Sequence, residues 1–133
     1  KYNVLKLVFP DNSDYPKAII KGFYKFCQEY AFEHILVDNP RKESIKKGSC
    51  YINLAEDDLV FLLDKISSKG IQIGQDVGII SYNETPLKKF ILNGITTLST
   101  DFKLMGEYAA ACITKNLKSR LEVPFYTVVR ASI

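Results

Sequence analysis

The sequence has little of the side-chain chemistry on which enzymes and metal sites depend. Its 133 residues include no tryptophan, one methionine and a single histidine, His34. A Ser-His-Asp arrangement would rest on His34 alone, and the apolar pattern places that residue at the amino end of a strand. The three cysteines, Cys27, Cys50 and Cys112, lie far apart without a CxxC spacing. This pattern favours buried thiols in a reducing compartment, and we expect no metal and no cofactor.

Strong charge and long apolar runs are also missing. The net charge of +3 is too small to indicate a nucleic-acid footprint, which needs a clustered basic face. The longest uncharged stretch, residues 91–100, is about half a bilayer span and contains polar residues, so no membrane association is expected. No signal peptide is present and the chain does not begin with Met. We therefore expect this chain to be one piece of a longer protein, and the dispersed cysteines favour the cytoplasm.

What the sequence does contain is an alternation of apolar strands and amphipathic helices. The pattern predicts strands at 4–9, 34–37, 50–53, 76–82 and 95–98, helices at 15–31, 41–47, 56–69 and 101–116, and an extended segment at 124–132. Nearly continuous apolar strands separated by helices predict one α/β domain, an open parallel sheet with helices on both faces. Because such sheets bind ligands beyond the carboxyl ends of their strands, function is expected in the loops there.

Those loops lack the motifs of phosphate and phosphoryl chemistry. No GxGxxG or GxxxxGK is present, and the glycines of residues 70–74 lie between a helix and a strand, on the wrong side of the sheet. A phospho-receiver domain needs an aspartate where Asn53 ends the third strand. The basic run at 41–47 fits a solvated helix face better than a phosphate site, and the acids at 56–58 fit the start of a helix. These residues do not predict an enzyme.

Several stretches resemble one family of bacterial regulators. Residues 70–87, GIQIGQDVGIISYNETPL, are similar to a segment of lactose-repressor-type regulators and their periplasmic sugar-binding relatives that ends in an aromatic residue and two aspartates. Residues 96–106, TTLSTDFKLMG, resemble the Leu-Thr-Thr segment of that family, and residues 128–132, VVRAS, resemble its terminal Arg-x-Ser. Residues 17–23 are similar to the opening of its first helix. The resemblance covers the whole chain.

This resemblance implies one lobe of a periplasmic-binding-protein-like type I fold. Residues 1–133 would form the C-terminal lobe of an effector-binding domain, with the N-terminal lobe and the DNA-binding head outside this chain. A small-molecule effector, of carbohydrate type, would bind between the lobes, and operator DNA would be contacted only through the head. The head is either a helix-turn-helix or a gluconate-repressor-type winged helix, which the sequence leaves open. The alternative is the solute-binding protein of a sugar transporter, although dispersed cysteines count against an oxidising periplasm.

The effector contacts of the family are carried over onto five residues: Ser13, Lys17, Glu56, Asn83 and Phe102. Lys17 keeps the charge of the family's arginine but loses its bidentate fork. The family's Asn-Asp pair falls on Ala55 and Glu56 by ungapped counting, so one hydroxyl-reading amide is lost. Asn83 replaces an aspartate and can still both donate and accept. Phe102 keeps the apolar side chain that lies against the ligand.

The resemblance also implies a homodimer. Members of the family pair along the helix after the third strand and the loop after the fourth, which here hold Val60, Phe61, Leu63, Phe90, Ile91 and Leu92. Exposing residues 90–92, three consecutive large apolar side chains, costs a monomer several kcal/mol by area. The family's chain crosses to the other lobe after the fifth strand. We therefore expect the helix at 101–116 to lack its partner in this chain.

Overall fold

Strands and helices alternate along the chain, as the apolar pattern predicts. The computed structural model describes residues 1–11, 13–116, 118 and 120–133. Its elements are β1 (Val4–Val8), α1 (Ala18–Glu29), β2 (Glu33–Val37), β3 (Ser49–Asn53), α2 (Glu56–Ser68), β4 (Gly78–Tyr82), β5 (Thr96–Thr100), α3 (Phe102–Thr114) and β6 (Phe125–Val128). Two 3-10 turns, Pro86–Lys89 and Ile91–Asn93, separate β4 from β5. In this part of the chain, no helix has the length and apolar character needed to span a bilayer.

The six strands form one sheet in the order β2-β1-β3-β4-β5-β6. The predicted parallel sheet is confirmed for β1 to β5. The last strand is a correction, since β6 runs antiparallel to β5, with Phe125 opposite Thr100 and Val128 opposite Thr97. β5 ends at the carboxyl edge of the sheet, and α3 does not pack back across a sheet face. The chain therefore re-enters the sheet from the same edge and must run the opposite way.

Each face of the sheet carries its own apolar core, because successive side chains of a strand point to opposite faces. On one face, Leu5, Leu7 and Cys50 pack with Phe23 and Cys27 of α1. On the other face, the buried residues of α2 pack on the strands; the cluster includes Val8, Tyr51, Leu59, Leu62, Ile66, Val77, Ile79 and Ile95. The predicted arrangement of helices on both faces is thus confirmed by α1 and α2.

The segment between β2 and β3 is not the helix that we predict at 41–47. It forms turns and irregular backbone in which Ile45 is buried and Glu43 forms an ion pair with Lys6. Lys6 lies within β1 and is only 4% exposed, so its ammonium needs a carboxylate nearby. A seven-residue helix is marginal by itself, and this buried charge outweighs its weak amphipathic pattern.

Helix α3 lies apart from both cores. Its first turn is capped by Asp101, whose side chain accepts a hydrogen bond from the backbone N–H of Leu104 at 2.9 Å. All residues of α3 are described and none is buried. Phe102 at its start is 50% exposed and Ile113 near its end is 83% exposed. The helix that the resemblance places on another lobe therefore buries no residue in this one.

Candidate functional site

The topology brings the predicted effector residues to one edge of the sheet. Ser13 and Lys17 follow β1, Glu56 follows β3, Asn83 follows β4 and Phe102 follows β5. These four strands are parallel neighbours, so their carboxyl ends lie side by side. The chain leaves β1 toward β2 and leaves β3 toward β4, in opposite directions. This divergence is the switch point at which an open α/β sheet forms a crevice.

The loop after β1 forms one side of this crevice. The hydroxyl oxygen of Ser13 is buried and has no hydrogen-bond partner among the described residues. Lys17, in contrast, is exposed at the start of α1. Between them, Tyr15 donates from its hydroxyl to the backbone oxygen of Leu54 at 3.1 Å. This contact joins the loops after β1 and β3 across the switch point.

Asn53, at the end of β3, is a buried polar residue of this edge that the sequence-based list of effector contacts does not include. It is fully buried, and its amide nitrogen donates to Ala55 O at 3.0 Å and to the hydroxyl of Ser81 at 3.2 Å. Its carbonyl oxygen has no partner in the described chain. An asparagine that closes an otherwise apolar strand is the available signal. The carry-over places the family's asparagine two residues later, at Ala55.

Glu56 is bound within the lobe to a buried lysine. Lys88 is 1% exposed, and its ammonium lies 2.7 Å from the Glu56 carboxylate. The same ammonium donates to the backbone oxygens of Tyr82 at 3.0 Å and Asn83 at 2.7 Å. Three acceptors thus match the three donors of the ammonium, which is why a lysine can be buried here. Sequence reasoning missed Lys88, since nothing in the sequence distinguishes it from its exposed neighbour Lys89.

Asn83 occupies a tight turn at the end of β4. Its φ of 63° lies in the left-handed region, which asparagine tolerates better than most residues. Its backbone N–H donates to Leu98 O at 2.8 Å and holds the turn on β5. The Lys88 ammonium binds the Asn83 carbonyl from the other side. The turn is therefore fixed, and the side chain of Asn83 stays partly exposed at the carboxyl edge.

The carboxylate of Glu84, the residue after Asn83, is paired within the lobe. Glu84 receives two hydrogen bonds from the Arg130 guanidinium, at 2.8 and 2.9 Å, and one from the hydroxyl of Thr97. Both charged side chains are only 14% exposed. Hydrogen bonds from Arg130 hold the pKa of the Glu84 carboxyl below its usual range, against the effect of burial. This pair joins the motif at 70–87 to the motif at 128–132.

Ser132 explains the rest of the C-terminal motif. Its hydroxyl, fully buried, donates to Ile79 O at 2.6 Å and accepts from the N–H of Thr96 at 2.7 Å. The hydroxyl of Thr96 also accepts from the N–H of Arg130 at 2.9 Å. The Thr-Thr and Arg-x-Ser motifs are thus a hydrogen-bonded connection between β4, β5 and the chain end.

Aromatic side chains line the same edge. Tyr82 packs edge-on against Tyr15, with ring centroids 6.1 Å apart, and lies 5.9 Å from the ring of Phe125. Phe125 is 57% exposed at the start of β6, opposite the end of β5. With Phe102, this edge presents two half-exposed phenyl rings. Such rings offer apolar surface to the flat face of a small ligand.

The predicted dimer residues differ in their surroundings. Val60, Phe90 and Leu92 are exposed, and Phe90 is the most exposed of them at 81%. Leu63 and Ile91 are partly buried and pack against the α2-side core. Phe61 is partly buried too, with the Arg41 guanidinium 4.8 Å and the Lys65 ammonium 5.5 Å from its ring.

Two cavities of the described chain lie away from these residues. One of about 750 Å³ opens at the amino edge of the sheet, beside Lys6, His34 and Lys47. The other, of about 800 Å³, is an apolar groove on the α1 face lined by residues such as Leu7, Phe23 and Ile80. Neither is lined by the five predicted effector residues.

The histidine and the cysteines lie away from the predicted effector residues. His34 is exposed at the start of β2, and its ring lies 5.2 Å from Tyr24 and 6.1 Å from Phe23. Cys27 and Cys50 are buried, which confirms that expectation, while Cys112 of α3 is only partly so. Burial raises the pKa of the Cys50 thiol to about 12, so at neutral pH it is protonated and a poor nucleophile.

Comparisons with known proteins agree with this architecture. Residues 5–133 match the family model described as a periplasmic binding protein-like domain. No curated protein matches the sequence significantly. The Lac repressor bound to ONPG in the repressed state is 15% identical, with a TM-score of 0.75, and the match covers 99% of this chain and 46% of that one.

Two further solved structures have the same kind of overlap. A LacI family transcriptional regulator from Mycobacterium smegmatis is 14% identical, with a TM-score of 0.72 over 98% of this chain and 57% of its own. A LacI family transcriptional regulator from Lactobacillus casei with bound sucrose is 11% identical, with a TM-score of 0.73 and the same coverages of 98% and 57%. The chain spans about half the length of the solved structures that it matches.

Proposed function

The chain belongs to the periplasmic binding protein-like domain family, and from this premise we propose that it is the C-terminal lobe of the effector-binding domain of a bacterial transcription regulator. One observation carries the proposal. Nearly all of the chain superposes on about half of each repressor, and its last helix, α3, buries no residue in the lobe. An apolar helix without a partner is what a two-lobed domain leaves when one lobe is considered alone.

The effector in this proposal is a sugar or a related small polar molecule, bound between the lobes. Support comes from the carboxyl edge, where Asn83 offers an amide, Lys17 an ammonium and Phe102 an apolar ring. Among the neighbours, the regulator from Lactobacillus casei has bound sucrose. Few polar groups among apolar surfaces are typical of sites for small polar ligands. Glu56 would contact the effector with the same carboxylate that forms the ion pair with Lys88.

A homodimer formed through α2 and the loop after β4 completes the proposal. The exposed side chains of Val60, Phe90 and Leu92 support it, since a monomer leaves them in water. Operator DNA is contacted only through a head domain outside these residues, and the regulator acts in the cytoplasm. Effector closes the two lobes and shifts the balance between two arrangements of the dimer. The lobe itself performs no catalysis.

Calorimetric titration of the chain and of the intact regulator tests the proposed function, with sucrose, lactose, maltose and glucose as probes. We expect at least one sugar to bind the intact protein and to bind the isolated lobe about 100-fold more weakly or not at all, because affinity needs both walls of the cleft. Asn83→Ala in the intact protein removes one polar contact and weakens binding. Equal affinity of lobe and intact protein contradicts the assignment of the cleft.

A further inference from the structure

The Glu56–Lys88 ion pair joins two parts of the molecule that the proposed function uses separately. Glu56 is the first residue of α2, and Lys88 lies in the 3-10 turn Pro86–Lys89. Further along α2 is Val60, and directly after the turn are Phe90 and Leu92. The ion pair therefore links the two halves of the proposed dimer surface to each other.

The same ion pair reaches the proposed effector site. The Lys88 ammonium binds the carbonyl of Asn83 at 2.7 Å, and Asn83 follows β4 at the carboxyl edge. Glu56 follows β3 at the same edge and is itself one of the predicted effector residues. One buried ammonium thus contacts two of the five effector residues and belongs to the loop that carries half of the dimer surface.

The two partners differ in their access to solvent. The side chain of Lys88 is 1% exposed, whereas that of Glu56 is 57% exposed. A ligand can approach the carboxylate but not the ammonium. If the carboxylate turns to a ligand hydroxyl, the ammonium keeps two carbonyl acceptors and loses its only charged partner in the described chain. A buried cation is then uncompensated, which is costly, so the turn around it must adjust.

We propose that the Glu56–Lys88 ion pair couples the effector cleft to the dimer surface. Effector contact with Glu56 withdraws the carboxylate from Lys88, and the 3-10 turn that carries Lys88 changes its position relative to α2. The change reaches Phe90 and Leu92 directly through the backbone. This coupling rests on the proposed function and adds to it the route by which occupancy alters the dimer.

A pair of charge-removing variants tests the coupling without an identified effector. Glu56→Gln keeps the shape of the side chain and removes the charge for which an effector competes. Asp57→Asn removes the same charge from the next residue of α2, which is exposed. Hydrogen exchange of residues 86–93 and the dimer dissociation constant from sedimentation are measured for both variants and for Lys88→Met, in the full chain.

We expect Glu56→Gln to increase exchange in residues 86–93 and to change the dimer dissociation constant about fivefold or more, as coupled sites do. Asp57→Asn should leave both unchanged, and Lys88→Met combined with Glu56→Gln should add little to either single change. If Lys88→Met fails to fold, the comparison of Glu56→Gln with Asp57→Asn still decides. Equal behaviour of these two variants overturns the coupling.

The two proposals fail in different ways. A wild-type chain that stays monomeric contradicts the dimer of the proposed function. In that monomer, increased exchange of residues 86–93 in Glu56→Gln still supports the link from the cleft to this loop, and unchanged exchange refutes it.

Discussion

Helices α2 and α3 have the same length, 13 residues, but α2 packs into the core of the lobe and α3 does not. α2 has six apolar residues and buries three of them, Leu59, Leu62 and Ile66. α3 has nine apolar residues and buries none. Composition alone therefore does not decide burial. α2 returns the chain to β4 and must cross a sheet face, whereas α3 leaves the carboxyl edge and comes back to it.

This contrast separates a helix that packs on its own sheet from one that buries no residue there. The exposed apolar stripe of α3, which contains Phe102, Met105 and Ile113, forfeits on the order of 5 kcal/mol of burial at about 25 cal/mol per Å². Natural sequences rarely keep such a stripe without a partner. We propose on this ground that α3 packs against the first lobe of a two-lobed effector domain.

The largest expected effect contrasts single truncations in the two helices. Leu62→Ala in α2 should lower the free energy of unfolding by about 2–5 kcal/mol, because Leu62 is fully buried. Ile113→Ala in α3 removes a residue that is 83% exposed and should change it by less than about 0.5 kcal/mol. Urea unfolding of both variants measures the difference. A loss of 2 kcal/mol or more in Ile113→Ala would show that α3 contributes to the lobe in solution.

A smaller effect is expected for the Glu84–Arg130 pair, which connects the motif at 70–87 to the C-terminal motif at 128–132. Arg130→Met should lower the free energy of unfolding by about 2–4 kcal/mol, because it leaves the partly buried Glu84 carboxylate without its bidentate partner. Arg120→Met, at an exposed position, is the matched control and should change stability by less than about 0.5 kcal/mol.

The pH dependence of the same pair gives an independent check. The pKa of Glu84 lies below its ordinary value of 4.5 in the folded chain, chiefly through the hydrogen bonds from Arg130. Its ionised form therefore stabilises the fold above that value, and the contribution is lost as the pH falls through the lower, folded pKa. Arg130→Met should flatten this part of the acid titration of stability. An unchanged acid limb in the variant would assign it to other carboxylates.

The smallest effect on stability is expected at the exposed loop. Phe90→Glu should leave the free energy of unfolding within about 0.5 kcal/mol, because Phe90 is 81% exposed, and should weaken dimerisation at least about fivefold. Leu121→Glu, also at an exposed apolar residue, is the control for added charge. Light scattering at tens of micromolar measures both. A chain that is monomeric before the substitution contradicts the dimer surface.

The periodicity of apolar residues predicts the sheet, the two packed helices and the edge of the sheet at which function is expected. It does not predict the direction of β6, which depends on where α3 lies. It also misreads residues 41–47, because the charge of Lys6 is hidden in an apolar strand and its partner Glu43 lies 37 positions away. Pairings of this kind depend on the folded register and leave no local pattern.

The candidate site shows the same division. The resemblance supplies Ser13, Lys17, Glu56, Asn83 and Phe102, and the topology places all five at one edge. The role of Lys88 could not be predicted, since it depends on complete burial, whereas the position of Asn53 at the end of an apolar strand is a signal that motif matching does not use. Glu84 and Arg130 lie 46 positions apart in the sequence. They meet only in the folded sheet, where β5 lies between β4, which precedes Glu84, and β6, which precedes Arg130. Motif matching finds such residues but does not distinguish ligand contacts from structural ones.

Hydrogen exchange of α3 tests the central claim most directly. In the isolated chain, kept monomeric by dilution, residues 102–113 should exchange much faster than residues 77–82 of the sheet, since none of the residues of α3 is fully buried, whereas Val77, Ile79 and Ser81 of the sheet segment are. In the intact regulator, the same residues of α3 should become protected by the first lobe. Equal protection of both segments in the monomeric chain would show that α3 docks on its own lobe and would contradict the account.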